Sequence, residues 1–188
     1  MVKRQVSDSF PEFHVAAAHL LTPKPDGTTA DETVSMTIDM GRVETNLVTQ
    51  DNSDLRVELI MVNAGHNGVG ADLLAAAATM VAEDPIYRSP QPGLTLPELA
   101  SHVDGSITAR HGLFVVPFVW DNGVPHVHEV AHDGESSASD FTHPGRFTVP
   151  TQLVMLTDEE LTIAERDGVE AVQEHIINAG VQLHDLWR

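Results

Sequence analysis

Apolar and polar positions alternate along several segments of the chain, and this alternation predicts a protein built mainly from β-strands. The apolar segment at residues 13–21 predicts a first strand. Residues 34–40 and 55–61 place apolar side chains at every second position, as strands with one buried face do. Residues 147–156 are rich in β-branched and apolar side chains, and they predict a further strand.

Helical spacing replaces this alternation in two regions. Val69–Glu83 places its apolar residues near one face and predicts an amphipathic helix. Thr157-Asp158-Glu159-Glu160 has the composition of a capping box, in which the Thr157 hydroxyl accepts from the Glu160 amide and the Glu160 carboxylate reaches back. A second amphipathic helix follows, and Gly180 stands where a left-handed residue usually ends a helix. The apolar stripe of that helix consists of Val169, Val172, Ile176 and Ala179.

The middle of the chain predicts a hairpin. Residues 113–120 form a nearly continuous apolar run, but Pro117 within it indicates an edge strand or a bulge. Asp121-Asn122-Gly123 is a hairpin turn signal, and residues 124–132 would form the returning strand. Residues 133–144 are polar and rich in serine, so we expect a mobile loop there.

These elements predict an α+β fold with a mixed, mainly antiparallel sheet and helices packed on one side. The 188 residues show neither an internal repeat nor a domain linker. We therefore expect one domain over residues 1–188, which is long enough to bury about two-thirds of its unfolded surface.

The charge balance is strongly acidic. The chain has 28 Asp and Glu against 10 Lys and Arg, a formal net charge of -18. This balance argues against nucleic acid and anionic membranes as partners, because both are bound mainly through basic residues. It favours a basic partner, or a surface that serves solubility alone.

Cysteine is absent, which excludes thiol catalysis, disulfides and cysteine-based zinc sites. The absence of disulfides is typical of a cytoplasmic protein. No apolar run approaches the roughly 20 residues that cross a bilayer, and the N-terminal residues lack the apolar core of a signal peptide. The sequence therefore predicts a cytoplasmic location.

Four motifs in a fixed order carry a family resemblance, and they span roughly residues 45–180. They are Asn46-Leu-Val-Thr-Gln with Leu55-Arg-Val-Glu-Leu-Ile-Met, an alanine-rich helix with Gly93-Leu-Thr-Leu-Pro, Gly112-Leu-Phe-Val-Val-Pro, and Leu153-Val-Met-Leu-Thr-Asp-Glu-Glu-Leu. This order resembles the suppressor-of-fused (SUFU) domain family, and in particular its bacterial single-domain members.

The resemblance implies an α+β domain that binds other proteins and turns over no substrate. Animal members of the family sequester a transcription factor, and several bacterial members are candidate immunity proteins against secreted toxins. For this chain it implies a protein-binding module without cofactor, whose partner is another protein such as a basic toxin or effector. It carries no binding residue over to this sequence. Trp187 is a candidate for docking back on the domain or for a dimer contact.

One motif indicates an enzyme instead. His128-Glu-Val-Ala-His132 matches the H-E-x-x-H pattern of zinc metallohydrolases, in which both histidines bind zinc and Glu129 acts as general base. The pattern needs a helix, whereas Pro125 and Gly134 leave too few residues between them for a stable one. A zinc metallohydrolase is therefore the alternative to the binding module.

On a strand, the same histidines offer another possibility. His126, His128 and His132 would then project to one face and could bind zinc, nickel or iron. The simpler interpretation is an edge strand with exposed histidines and no metal, and we favour it.

A glycine-rich turn at Gly65-His-Asn-Gly68-Val-Gly70 has the layout of a dinucleotide-binding loop but departs from the G-x-G-x-x-G spacing, so we expect an ordinary helix start.

Overall fold

A computed structural model describes residues 2–4, 13–24, 27–130 and 145–188 of the chain. In this part, eight strands form one sheet and three α-helices accompany it. The strands are β1 (Val2–Arg4), β2 (Phe13–Pro23), β3 (Thr29–Thr37), β4 (Asp54–Ala64), β5 (Thr95–Leu96), β6 (His111–Val115), β7 (Val127–Glu129) and β8 (Arg146–Leu156). The helices are α1 (Val69–Glu83), α2 (Asp158–Asp167) and α3 (Val169–Ala179).

The sheet is mixed but mainly antiparallel, as the sequence predicts. Its strand order is β1-β2-β3-β4-β8-β6-β5, and β7 also pairs with β8. The central pair of β4 and β8 is parallel, and every other pair of strands is antiparallel. The predicted α+β fold with this kind of sheet is therefore confirmed.

The helices lie on both faces of the sheet. In β8, Leu153 and Met155 join the large core cluster that contains α1, whereas Val154 and Leu156 pack with α3. Successive residues of a strand point to opposite faces, so α1 and α3 cover opposite faces. The sequence predicts helices on one side only, and the structure corrects that placement. The reason is that the continuous apolar run of β8 needs cover on both faces.

Helix α1 lies very close to the sheet at its first turn. An added Cβ at Gly70 would come within 2.2 Å of the side-chain oxygen of Asn63, which is fully buried. The side-chain oxygen of Asn67 accepts from the Val69 amide at 3.2 Å and from Asn63 Nδ2 at 3.1 Å. Gly70 thus has a packing role, and Asn67 satisfies a backbone donor at the helix start.

The hairpin that the sequence predicts between residues 113–120 and 124–132 does not form. β6 ends at Val115, and β7 pairs with β8 rather than with β6. Both strands lie along the same edge of β8, and residues 116–126 loop out between them. The strand predicted at 34–40 also ends early, at Thr37, before a short 3₁₀ turn at Met40–Arg42. The loop predicted at 133–144 lies outside the described residues.

The last elements form as predicted. Thr157 accepts from the Glu160 amide at 3.4 Å, and Glu160 Oε2 accepts from the Thr157 amide at 2.7 Å, which completes the capping box. Gly180 ends α3 with a φ of 61°. The indole of Trp187 donates to Ser106 Oγ at 3.1 Å, so this ring docks back on the domain. Among the described residues, every helix is too short or too polar to cross a membrane.

Candidate functional site

The H-E-x-x-H motif does not form a helix where the structure describes it. His128 and Glu129 lie in β7, opposite Phe147 and Arg146 of β8. Neighbouring residues of a strand project to opposite faces, so the Glu129 carboxylate points away from the His128 ring. It lies 3.6 Å from Arg146 Nη1. The ligand-and-base arrangement of a zinc metallohydrolase is thus not assembled from this pair, while His132 lies outside the described residues.

Two of the candidate metal ligands share one side of β7. The His126 ring stacks on Phe147 with 4.8 Å between centroids, and the His128 ring meets the same phenyl edge-on at 5.5 Å. Both histidines are exposed. The structure therefore places His126 and His128 around one aromatic ring, and metal binding by them with His132 stays a hypothesis.

A different histidine sits in a cluster that the sequence did not indicate. Donor atoms of Glu98, His111 and Asp158 lie within 4.8 Å of one another. His111 is buried, its Nδ1 accepts from the Glu98 amide at 2.9 Å, and its Nε2 lies 2.8 Å from Asp158 Oδ1. Since Nδ1 is an acceptor, the proton resides on Nε2 and is donated to Asp158. Both ring nitrogens are occupied, so this cluster is a clasp between β6 and α2 rather than a metal site.

The clasp also lowers the pKa of Asp158. The hydrogen bond from His111 holds the pKa of this carboxyl below its usual value of 3.8, against a smaller opposing effect of desolvation. The charge of Arg110 lowers the pKa of Asp158 further. No local pattern links His111 to a carboxylate 47 positions away, so only the folded chain reveals the contact.

An apolar groove with a volume of about 680 Å³ lies between β6 and α3. We call it the α3–β6 groove. The side chains of β6 and β8 beneath it are buried, and one wall is α3 itself. Val115, Val169 and Ile176 are partly exposed along its walls. The lining residues are Pro92, Gly93, Leu113, Val115, Val116, Pro117, Phe118, Val154, Leu156, Val169, Glu170, Val172, Gln173, Ile176 and Leu183.

The outer wall of the groove is the segment after β6. Pro117 lacks a backbone N–H, so the strand ladder ends and the chain turns outward. Phe118 is held in place because its amide donates to the buried Gln152 side chain at 3.1 Å. Val116 and Phe118 remain 62% and 54% exposed. Two large apolar side chains thus stand in solvent at the mouth of an apolar groove.

The opposite border of the groove is acidic. In α2 and α3, Arg166 is the only Lys or Arg, and it pairs with Asp167 at 2.5 Å. This hydrogen bond raises the pKa of Arg166 and lowers the pKa of Asp167. The exposed carboxylates of the two helices are Asp158, Glu159, Glu165, Asp167, Glu170 and Glu174. Glu170 is the one of these carboxylates that lines the groove, so the α3 border of the groove carries one acidic side chain and no Lys or Arg.

A smaller apolar pocket of about 340 Å³ lies on the α1 face of the sheet. It shares Pro92, Val116 and Pro117 with the α3–β6 groove. Phe147 and His126 line its far side. The segment after β6 therefore stands between two apolar depressions, one on each face.

The structure is thus an α+β sheet domain with an apolar groove on its surface. A solved structure with this fold is a protein from Neisseria gonorrhoeae FA 1090, provisionally described as a SUFU (suppressor of fused protein) homolog. The two share 14% identity over 94% of this chain and 86% of that one, with a TM-score of 0.52. At this identity the similarity establishes the fold, and the predicted resemblance is confirmed at that level. No protein-family model and no curated protein matches the chain.

Proposed function

We propose that the protein is a non-enzymatic protein-binding module that holds another protein at the α3–β6 groove. The observation that carries this proposal is the groove itself, about 680 Å³ in volume, with exposed Val116 and Phe118 at its mouth. The fold supports it, because the sequence resemblance to the SUFU family implies protein binding. We take residues 1–188 as one functional unit.

The character of the lining favours a protein over a small substrate. Small-molecule sites usually combine apolar walls with a few convergent polar groups. Here the polar side chains of the lining are Glu170 and Gln173, which are both exposed on the helix wall. An apolar centre with a polar rim is the usual anatomy of a protein interface.

The finer proposal concerns the kind of partner. A formal net charge of -18 attracts basic proteins over long distances and raises their rate of association. We propose that the protein acts as an immunity protein in the cytoplasm, where it sequesters a basic toxin or effector. Co-expression then protects a host cell from the captured protein, and a variant with a blocked groove does not protect.

A charge placed in the groove tests the binding site. We expect Val116→Asp to lose a partner that the wild type retains on purification from the native host, because an aspartate there must lose its hydration in an apolar contact. Ile86→Asp is the matched control, since Ile86 is also 62% exposed but belongs to the connection after α1. A partner that Val116→Asp retains in full would place the binding site elsewhere.

The metallohydrolase alternative has its own test. We expect tag-free protein to contain no stoichiometric metal, because the rings of His126 and His128 both pack on Phe147. Elemental analysis of the wild type and of His128→Ala checks this. Near-stoichiometric zinc that disappears in His128→Ala, together with a hydrolytic activity that Glu129→Gln abolishes, would support the enzyme instead.

A further inference from the structure

We propose that the occupant of the α3–β6 groove is a cationic amphipathic helix of the partner protein. Its apolar face lies between the segment after β6 and α3, and a Lys or Arg side chain beside that face meets Glu170 of α3. This inference rests on the proposed protein-binding function and specifies the chemistry that the groove selects.

The backbone around the groove favours a helix over an added strand. Strand β6 pairs with β8 on one side. On its other side it pairs with β5, the Gly93 amide donates to the Phe114 carbonyl at 2.8 Å, and the Phe114 amide donates to the Leu94 carbonyl at 2.9 Å. No backbone edge of β6 is therefore left for a partner strand. A segment that enters must satisfy its own backbone groups, and a helix does so.

The shape of the groove favours an apolar helix face. The apolar side chains that a partner can reach are Val115, Val116 and Phe118 on the β6 side, and Val169 and Ile176 on the α3 side. The wall helix has 11 residues and is therefore about 16 Å long. A partner helix of three turns has a similar length, and it covers the groove with side chains spaced three and four positions apart.

The charge of the border favours a basic flank on that helix. Glu170, Glu174 and Ile177 follow one another at intervals of four and three positions along α3, so they share one side of the helix. Both glutamates are exposed, and Ile177 is 67% exposed. No Lys or Arg is among the residues that line the groove. Glu170 lines the groove, whereas Glu174 does not. A Lys or Arg of the partner beside its apolar face would therefore meet Glu170.

The test uses a designed peptide, since the natural partner is unidentified. The probe is a fluorescently labelled amphipathic peptide of Leu and Lys, roughly 18 residues or about 27 Å long as a helix. A Leu and Glu peptide with the same pattern is its charge-reversed counterpart. Fluorescence anisotropy measures the affinity of each peptide for the wild type and for three variants, which are Val116→Asp, Glu170→Lys and Asp51→Lys.

We expect the Lys peptide to bind the wild type and to lose affinity by more than about tenfold with Val116→Asp, because a buried charge opposes apolar contact. Glu170→Lys should weaken it by roughly fivefold, as the loss of one partly exposed ion pair does. Asp51→Lys is the matched control, since it changes the net charge equally on an exposed loop residue that does not line the groove. It should leave the affinity nearly unchanged.

The other outcomes separate this inference from the proposed function. Equal binding of the Glu peptide, with the same loss in Val116→Asp, would refute the cationic preference and leave the groove as a docking site. Equal weakening by Glu170→Lys and Asp51→Lys would show binding through net charge alone and would overturn the inference. A dimer in analytical ultracentrifugation that Val116→Asp dissociates would show that a second copy of this chain occupies the groove. That result would overturn the inference.

Discussion

Pro117 is the residue that opens the α3–β6 groove. Without a backbone N–H at this position, β6 cannot continue along β8, and the chain leaves the sheet after Val115. Val116 and Phe118 then lie outside the core although their sequence is as apolar as that of the buried strand. One residue thus converts an apolar run from a core strand into the wall of a surface groove.

Gly70 is decisive for the contact between α1 and the sheet. We expect Gly70→Ala to reduce the free energy of unfolding by about 1–2 kcal/mol, because overpacking outweighs the higher helix propensity of alanine. The methyl group would meet Asn63, which is fully buried and cannot move aside freely. Urea denaturation measures the change.

Gly105→Ala is the control for this substitution, since nothing lies within 4 Å of the Cβ that it adds. It should change the stability by less than about 0.5 kcal/mol. Equal effects of the two substitutions would show that Gly70 has no special packing role.

The clasp at His111 predicts a pH dependence. The folded-state pKa of Asp158 lies below its usual value of 3.8, chiefly because of the hydrogen bond from His111. A depressed pKa adds stability above the unfolded value and loses it as the pH falls through the folded value. The wild type should therefore be more stable than Asp158→Asn at neutral pH, and the difference should shrink below pH 3.8.

Urea midpoints of both proteins across this pH range check the expectation. The charged or titratable groups near Asp158 include His111, Arg110 and Glu98. The same series in Arg110→Gln separates the charge of Arg110 from the hydrogen bond. A difference that stays constant through the acid range would refute the assigned cause.

At the scale of elements, local patterns predict the strands and helices that end at strong local signals. The helix Val69–Glu83 is confirmed because its alanine-rich composition and its burial agree. The capping box at Thr157 is confirmed because both of its hydrogen bonds form. The pairing of β7 with β8 was not predictable, because the hairpin signal at Asp121 concerns only neighbouring residues. The groove depends on the same long-range pairings, so the sequence shows its residues but not their assembly.

The C-terminal segment fixes α2 to the sheet through a buried ion pair. Arg188 Nη2 donates to Glu160 Oε2 at 2.8 Å and to the Met155 carbonyl at 2.7 Å, and both side chains are nearly buried. We expect Arg188→Met to reduce the free energy of unfolding by about 3 kcal/mol, since it leaves the Glu160 carboxylate buried without its cation. Chemical denaturation measures this loss.

A double variant shows whether the unpaired charge is the cause. Glu160→Gln keeps a side chain that fits the capping box. Glu160→Gln with Arg188→Met should therefore be more stable than Arg188→Met alone. A double variant that is less stable than Arg188→Met would refute this explanation.

At the scale of the whole molecule, two features act together. The net charge of -18 is a property of the composition, whereas the α3–β6 groove is a property of the fold. In the proposed function, the charge attracts basic proteins without regard to shape, and the groove accepts only an apolar surface that fits it. Selectivity for one partner therefore depends on the groove, and raised salt should slow association more than it speeds dissociation.

The most direct test of the account is site-specific photo-crosslinking in the native host. A photoreactive amino acid replaces Val116 in one variant and Ile86 in another, because both positions are 62% exposed. The account predicts a discrete adduct with one protein from position 116 and none from position 86, with the crosslink in a basic amphipathic helix of that protein. Adducts of equal yield from both positions, or an adduct from position 86 alone, would contradict docking at the α3–β6 groove.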